Sequence, residues 1–496
     1  MTVLRIGDEP LVPEAVAAAA RGGTIDVELT VAARARIERS HRAAEAATEQ
    51  RTVYGRTTGV GANRHDPVPE DERRAHSVRL LRSHAGGVGD ALPAELVQAT
   101  LLIRLAQIAA GGGGHRVELA DALAAVLRAG PLPVLRDLGG IGTGDLTFLA
   151  QLGLALAGEG EWMPRAPSGP LGVVDTQPSQ ARIRIEAGDA LALMSSNAVT
   201  HAAATLAWAD ARELLDAGLG VAALTFHALA GNHEAFAPQL AAARPLPGLA
   251  AVSERLSALT EGAPEPARMQ DPFGLRCLPP VAGALQAANA ALHDVLVVEI
   301  NAAAENPLFA GGEVLHHGGF HAAPCALALD TLRLALVPFA SMSAARLAHL
   351  MEPGLSGLPA FLAVDAPGSS GVLIAEYLAA DALARLRAEA VPAVLGTVAI
   401  SRGLEEHASF AWQAAGQARR ALLHVRTVLA LEWVVAERAL RMKGAPEDGV
   451  LGPLRALATG FDARLEDRPI GPDTALADAA LPALARSVRA AAPAAG

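Results

Sequence analysis

The stretch Leu138-Gly-Gly-Ile-Gly-Thr-Gly-Asp-Leu-Thr-Phe-Leu149 places four glycines in six positions, directly before an apolar segment. Glycine adopts positive φ without steric cost, so this segment can turn tightly. Gly140, Gly142 and Gly144 resemble part of a phosphate-binding loop, but no Gly-Lys-Ser/Thr follows to complete that motif. Loops carry binding and catalytic residues more often than regular elements do. The tripeptide Gly142-Thr143-Gly144 is therefore a candidate functional element.

The composition of the 496-residue chain predicts a mainly α-helical protein. Hydrophobic residues make up 51% of the chain and aromatic residues only 3%. The abundant alanine and leucine favour helices because they lose little free energy in that conformation. The net charge of −11 is spread along the chain, and no cluster of Lys and Arg with interleaved aromatics occurs. We therefore expect no nucleic-acid partner.

The cysteines and the N-terminal sequence bear on metal binding and on the location of the protein in the cell. Cys277 and Cys325 belong to no CxxC or Cys/His pattern, so we expect no metal site. The first residues, MTVLRIGDEPLVPE, lack the basic and then apolar segments of a signal peptide. No uncharged run approaches the roughly 20 residues of a membrane span. We expect a cytoplasmic protein without a membrane partner.

The pattern of apolar residues divides the chain into two regions. Residues 1–188 are glycine-rich and irregular, with helices at 31–50, capped by Thr30, and at about 116–129. From residue 189 onward the apolar period is helical. The long helices predicted there cover about 189–217, 281–303, 321–350, 369–390 and 408–442. We therefore predict an N-terminal domain at 1–188 and a helical bundle domain at 189–496, in which the Pro/Gly-rich segment 234–280 is a connection.

Six motifs between about residues 50 and 440 resemble those of the histidine and aromatic amino acid ammonia-lyases, in the same order. They are VYGRTTGVG at 53–61, SHAGGVG at 83–89, QDPFGLRC at 270–277, EINAAAENP at 299–307, GGFH at 318–321 and EEH at 405–407. The resemblance implies the aromatic amino acid lyase fold, with a glycine-rich N-terminal domain and a central bundle of long helices. It also implies a homotetramer whose active sites are built by more than one subunit.

The resemblance implies roles for residues that contact the substrate. Tyr54 corresponds to the tyrosine that removes the β-proton. Arg276 corresponds to the arginine that pairs with the substrate carboxylate, a group that guanidinium binds in a planar, bidentate way. Glu405 corresponds to the acid that faces the imidazole ring in histidine lyases. Further positions that match the family's substrate pocket are His84, Gln270 and Phe320.

Three positions depart from the family pattern, and all belong to the side of the pocket that carries its prosthetic group. That group, a methylidene-imidazolone, forms when Ala-Ser-Gly cyclises and the serine loses water. Here Gly142-Thr143-Gly144 replaces the tripeptide. Ser195 replaces the asparagine that holds the group's oxygen, and Phe273 replaces a second catalytic tyrosine. We predict that the prosthetic group is absent and that no other cofactor is used.

The residues that match the family's substrate pocket are kept, whereas the electrophilic prosthetic group is predicted to be absent. Such a site suits a substrate whose nitrogen is already a good leaving group. A trimethylammonium group carries a permanent charge and leaves as neutral trimethylamine. The sequence thus resembles the ergothionase branch of the family, which would convert ergothioneine, a histidine betaine, to thiolurocanate. Phe320 and Phe273 could contact the cationic leaving group. The alternatives are a histidine ammonia-lyase that forms urocanate, and a non-catalytic binding protein on the same scaffold.

For this elimination the phenol of Tyr54 must act as a phenolate. An unperturbed tyrosine has a pKa of about 10. We therefore expect helix N-termini or neighbouring arginines to lower the pKa of Tyr54.

Overall fold

In the computed structural model, which describes residues 3–165, 177–364 and 367–492, the chain is mainly α-helical, and the predicted fold class is confirmed. The α-helices in this part of the chain are α1 Pro13–Arg21, α2 Val31–Gln50, α3 Arg73–His84, α4 Ala94–Ala110, α5 Val117–Arg128, α6 Leu146–Ala157, α7 Asp189–Met194, α8 Ala198–Leu229, α9 Pro238–Ala243, α10 Leu249–Leu259, α11 Phe273–Arg276, α12 Leu278–Ile300, α13 Ala323–Met351, α14 Pro353–Ser356, α15 Ile374–Glu389, α16 Ala411–Met442, α17 Gly452–Ala456 and α18 Gly471–Ala491.

The β-strands are short and form small two-stranded sheets. Within the described residues they are β1 Leu4–Ile6, β2 Val27–Leu29, β3 Val88–Ala91, β4 Leu132–Pro133, β5 Arg136–Leu138, β6 Trp162–Met163, β7 Leu308–Ala310 and β8 Glu313–Leu315. Strand β1 pairs with β2 in parallel, whereas β3 with β5, β4 with β6 and β7 with β8 are antiparallel.

The helix signals in the sequence correspond closely to the observed bounds. Thr30 caps α2, since its hydroxyl oxygen accepts a hydrogen bond from the Ala33 amide at 3.2 Å. Helices α5, α12, α13, α15 and α16 lie within a few residues of the predicted ranges, apart from the start of α15 at Ile374, five residues late. The apolar periodicity therefore located these helices. The predicted and observed ends differ by a few residues, as is usual for helix boundaries.

Two predicted segments were wrong in detail. The helix expected at 189–217 is divided into α7 and α8, because residues 195–197 leave the helical path, and α8 continues to Leu229. The supposed connection at 234–280 contains α9, α10 and α11. One of its prolines, Pro238, is the first residue of α9, where a missing amide hydrogen costs nothing.

The chain forms two compact units, each assembled from separate stretches. The first unit comprises Met1–Leu206, His293–Leu329 and Pro392–Gly416. The second comprises Ala207–Leu292, Asp330–Val391 and Gln417–Gly496. The division into domains at 1–188 and 189–496 assumed a single cut in the chain, and it stays a prediction beside this interleaved arrangement.

Two helices of the described chain are long and apolar enough to cross a membrane by length and composition, α12 and α13. Each is interrupted by charged residues, such as Asp294 in α12 and Arg333 in α13. Buried helices in a protein core meet the same two criteria, so this observation is weak evidence for a membrane span.

Candidate active site

A cavity of about 720 Å³ lies within the first unit and collects several predicted site residues. Its wall includes Tyr54, Thr143, Ser195, Phe320 and Glu405. These residues come from five separate segments of the chain. The structure therefore brings together the predicted base, the predicted ring-binding acid and the altered tripeptide.

Tyr54 lies in the loop after α2, with its hydroxyl turned back onto its own loop. The phenol oxygen accepts a hydrogen bond from the Gly61 amide at 2.7 Å. Burial raises the pKa of Tyr54 above its ordinary value, while the Gly61 amide lowers it, the Glu405 carboxylate raises it and the Arg64 guanidinium lowers it. The net direction is upward, so the expectation of a lowered pKa was wrong for this chain, because desolvation outweighs the Gly61 and Arg64 contributions.

Glu405 reaches the cavity from a short loop that leads into α16. Its backbone pairs with Ile400, through Ile400 N to Glu405 O at 3.0 Å and Glu405 N to Ile400 O at 3.3 Å. This pairing closes the loop and turns residues 404–407 toward the cavity, where all four line the wall. The carboxylate of Glu405 is thus placed near the loop of Tyr54 by backbone geometry.

The tripeptide loop is held at both ends by hydrogen bonds. The Gly142 carbonyl accepts from Ser409 Oγ at 2.7 Å, and the Gly144 amide donates to Asn197 Oδ1 at 2.9 Å. Asp145, which follows, is fully buried and accepts from the Thr200 amide and hydroxyl, each at 2.8 Å. Burial raises the pKa of Asp145 to about 6. The loop conformation is therefore fixed by residues that the sequence motifs had not indicated.

Ser195 lies in the break between α7 and α8, where its backbone leaves the helical conformation (φ −77°, ψ 62°). Its hydroxyl accepts a hydrogen bond from the Asn306 amide at 2.9 Å. The Asn306 side-chain oxygen in turn accepts from the His317 amide at 3.0 Å. Ser195 therefore binds Asn306, another residue of the cavity wall. Its contact with substrate stays a prediction.

Sequence reasoning missed a wall of histidines in this cavity. The histidines among the described lining residues are His65, His316, His317, His321 and His407. The signal for two of them was present, since His321 ends the GGFH motif and His407 ends the EEH motif. Their rings stack with centroids 5.1 Å apart, and His321 Nε2 lies 3.0 Å from His407 Nδ1.

Backbone amides donate hydrogen bonds to a ring nitrogen of two of these histidines. His317 Nδ1 accepts from the Gly319 amide at 2.9 Å, and its Nε2 donates to the Glu305 carbonyl at 2.8 Å. His316 Nε2 accepts from the Tyr54 amide at 3.3 Å. A ring nitrogen that accepts a hydrogen bond carries no proton, so these contacts identify the acceptor nitrogen of each ring.

Four residues that were predicted to contact the substrate do not line this cavity. His84 ends α3, and its Nδ1 lies 2.9 Å from the Leu80 carbonyl. Gln270, Phe273 and Arg276 belong to the second unit. The guanidinium carbon of Arg276 lies 4.5 Å from the centroid of the Phe273 ring, so one face of that ring is engaged by arginine. Their roles toward substrate stay predictions.

The residues of the tripeptide do not fit a methylidene-imidazolone. The group needs a bare exocyclic methylene, which serine leaves when it loses water, whereas Thr143 would leave a methyl on that carbon. Cyclisation also needs the Gly144 nitrogen to attack the Gly142 carbonyl, and the Gly144 amide is committed to Asn197. Gly142 has φ +78°, and a Cβ placed on it would lie 2.0 Å from Ser409 Oγ. This loop conformation therefore has no room for an alanine at 142.

We expect Gly142→Ala to destabilise the protein because of this clash. Gly311→Ala is the matched control, since Gly311 also has positive φ (+60°) in the same unit but faces open space. Both variants pay for a left-handed alanine, and overpacking should cost Gly142→Ala about 1–3 kcal/mol more in the free energy of unfolding. Denaturant titration of both variants measures the difference. Equal losses would contradict the steric argument.

Comparison with known proteins agrees with the motifs. Residues 11–459 match the family described as aromatic amino acid lyase. The histidine ammonia-lyase of Anaeromyxobacter sp. (strain K) is 36% identical over 488 residues, covering 94% of each chain. That of Symbiobacterium thermophilum is 36% identical over 457 residues, covering 90% of this chain and 89% of the relative.

Solved structures give the same fold. Histidine ammonia-lyase from Trypanosoma cruzi superposes with a TM-score of 0.89 at 25% identity, covering 99% of this chain and 96% of that one. Ergothionase from Treponema denticola superposes with a TM-score of 0.89 at 23% identity, covering 97% and 99%, and this likeness shows the fold alone. The matched family spans the cavity and its motifs, so the chain belongs to the aromatic amino acid lyases and is a carbon–nitrogen lyase.

Proposed function

We propose that the protein eliminates trimethylamine from a histidine betaine, with ergothioneine giving thiolurocanate, and that it works without a prosthetic group. The observation that carries this proposal is the cavity in which Tyr54 and Glu405 face a loop with threonine at its centre. The base and the ring-binding acid are present together. Thr143 does not suit the methylidene electrophile that an amine leaving group needs.

A quaternary nitrogen removes the need for that electrophile. An ordinary amine is a poor leaving group, and an electrophilic group in the loop would improve it by binding the amine nitrogen covalently. Trimethylammonium has no lone pair with which to form such an adduct, and it departs as a neutral amine. The altered tripeptide would therefore not slow elimination from such a substrate.

The proposed step is a balanced 1,2-elimination. The phenolate of Tyr54 takes the β-proton, the electrons of the Cβ–H bond form the double bond between Cα and Cβ, and the Cα–N bond breaks with its electron pair on trimethylamine. Arg276 would bind the carboxylate, and Glu405 would hydrogen-bond the imidazole or thioimidazole ring. Substrate-binding roles for Ser195, Phe320, His84, Gln270 and Phe273 remain part of the proposal.

Charge in the cavity suits a cationic group on the substrate. The described lining residues include two carboxylates, Glu405 and Glu406, against the single guanidinium of Arg64. These three side chains together carry one excess negative charge, which favours a bound cationic group at short range.

Histidine ammonia-lyase activity is the second candidate, and the named relatives favour it. Proteins called histidine ammonia-lyase are 36% identical over most of this chain, whereas the likeness to ergothionase shows the fold alone. Under this candidate Gly142-Thr143-Gly144 would still cyclise. The two candidates differ in the leaving group and in the covalent state of the loop.

We expect the intact mass of the purified protein to equal that of the unmodified sequence, because cyclisation would remove water. Incubation with ergothioneine or hercynine should give the unsaturated acid and trimethylamine, and histidine should react far more slowly. Mass spectrometry and ultraviolet absorbance measure these outcomes. Fast ammonia release from histidine, with a mass deficit in the loop peptide, would establish the second candidate instead. Turnover of any of these substrates rejects a purely binding role.

The assembly and location are proposed on family grounds. We propose a homotetramer in the cytoplasm, with a small-molecule betaine or amino acid as substrate and with neither nucleic acid nor membrane as partner. Light scattering coupled to gel filtration measures the oligomeric state.

A further inference from the structure

A second loop packs directly against the loop that holds the Tyr54 hydroxyl. The hydroxyl oxygen of Ser401 accepts a hydrogen bond from the Ala62 amide at 3.1 Å. The preceding amide, Gly61 N–H, donates to the Tyr54 phenol oxygen at 2.7 Å. Two consecutive amides thus point to two different partners, one on the predicted base and one on Ser401.

The contact between these loops leaves no room for a side chain at residue 61. Gly61 has φ +56°, and a Cβ placed on it would lie 2.8 Å from Ser401 Oγ and 3.6 Å from Glu405 Oε1. A Cβ contact below 3.0 Å forces one of the groups to move. The Ser401 hydroxyl is therefore seated against the glycine whose amide binds Tyr54.

The backbone around Ser401 is held in an unfavourable conformation. Ser401 has φ +54° and Arg402 has φ +58°, and residues with a Cβ rarely adopt such values. The pairing of Ile400 with Glu405 closes the loop on both sides of them. Strain of this kind persists where surrounding contacts over-determine it, and it concentrates at functional sites.

We propose that Ser401 is a positioning residue for Tyr54: it fixes the Gly61–Ala62 turn so that the Gly61 amide stays directed at the phenol oxygen. This inference rests on the proposed function, in which Tyr54 is the base. Ser401 has no contact with substrate in this role. Its effect passes through one backbone amide.

Loss of the Ser401 hydroxyl has a definite expected sign. A hydrogen bond to the phenol oxygen is stronger for the phenolate than for the neutral phenol, so a loosened Gly61 amide destabilises the charged form. The other groups that face Tyr54 are Glu405, Arg64 and His316. None of them changes in the variants below, so a shift in Tyr54 ionisation reports the amide.

The chain offers a direct reading of this ionisation, since it contains only two tyrosines. The other, Tyr377, is 67% exposed on α15. In a Tyr377→Phe background, the ultraviolet absorbance of tyrosinate during a pH titration reports Tyr54 alone. The measurement needs no substrate, so it stands even if elimination activity is not found.

We compare Ser401→Gly with Arg402→Gly in the Tyr377→Phe background. Both glycines relieve a positive φ, but only Ser401→Gly removes the acceptor of the Ala62 amide. Ser401→Gly should raise the Tyr54 midpoint by about one pH unit, a tenfold change in the ionisation equilibrium, while Arg402→Gly leaves it unchanged. Ser401→Ala, which keeps the strain but lacks the hydroxyl, should behave like Ser401→Gly.

Two outcomes overturn the inference, and a separate one overturns the function beneath it. Equal midpoints in the parent and both Ser401 variants, with circular dichroism showing intact folds, would show that Ser401 does not act on Tyr54. An equal shift in Arg402→Gly would assign the effect to general loosening of the loop. Full activity of Tyr54→Phe would instead reject Tyr54 as the base, whatever the titration gives.

Discussion

Tyr54→Phe is expected to slow elimination by about 10²–10⁴-fold, the range that a positioned general base contributes. Phenylalanine keeps the ring but removes the oxygen that takes the β-proton and accepts the Gly61 amide. The effect should fall on kcat more than on KM, because proton transfer occurs in the transition state. Steady-state rates with ergothioneine and hercynine measure it.

The pH dependence of kcat/KM is a second test of Tyr54 as the base. The base works as phenolate, so kcat/KM of the parent enzyme should rise with pH through the pKa of Tyr54. Burial raises that pKa, which places this limb above the ordinary tyrosine value. Tyr54→Phe should lose the limb, while Tyr377→Phe, which changes the exposed tyrosine, should keep both rate and profile. A Tyr54→Phe enzyme with unchanged turnover would end the assignment.

Glu432→Ala is expected to cost about 3–5 kcal/mol of the free energy of unfolding, because it leaves a buried guanidinium uncompensated. In the second unit, both Glu432 oxygens bind Arg346, with Nε to Oε1 and a terminal nitrogen to Oε2 at 2.7 Å each. Hydroxyls of Thr225 and Ser343 donate to the same carboxylate at 2.7 and 2.6 Å. Both members of the ion pair are fully buried.

The control for this variant is a surface ion pair of similar chemistry. Asp381 and Arg385 pair at 2.9 Å on α15, with exposed fractions of 62% and 65%. Asp381→Ala should cost no more than about 1 kcal/mol, because water screens exposed pairs. Urea unfolding followed by circular dichroism compares the two. A loss at Glu432 as small as that at Asp381 would contradict the burial argument.

Much of the fold was predictable because helices leave a periodic signal. Apolar residues spaced by three and four residues located α12, α13 and α16 within three residues at each end. The break at 195–197 was missed because the apolar period continues on both sides of it, and Ser195, Ser196 and Asn197 were the only local signal. It depends on distant partners, including the Asn306 amide on Ser195 and the Gly144 amide on Asn197. Such contacts have no local pattern in the sequence.

The candidate site was likewise predictable only in part. Motifs placed Tyr54, Phe320 and Glu405 in one cavity, because their loops have a recognisable composition. They could not predict the direction of the Tyr54 pKa, which depends on how deeply the ring is buried. Nor could they find Ser401, which belongs to no motif and matters through one hydrogen bond made across the fold.

One histidine of the cavity wall anchors the loop that carries Tyr54. His316 Nε2 accepts a hydrogen bond from the Tyr54 amide at 3.3 Å. Burial lowers the pKa of His316, followed by the charge of Arg51, so this ring stays neutral to a lower pH than an ordinary histidine. A neutral ring nitrogen keeps its lone pair for the amide. The backbone anchor of the Tyr54 loop should therefore survive mild acidification that would protonate an ordinary histidine.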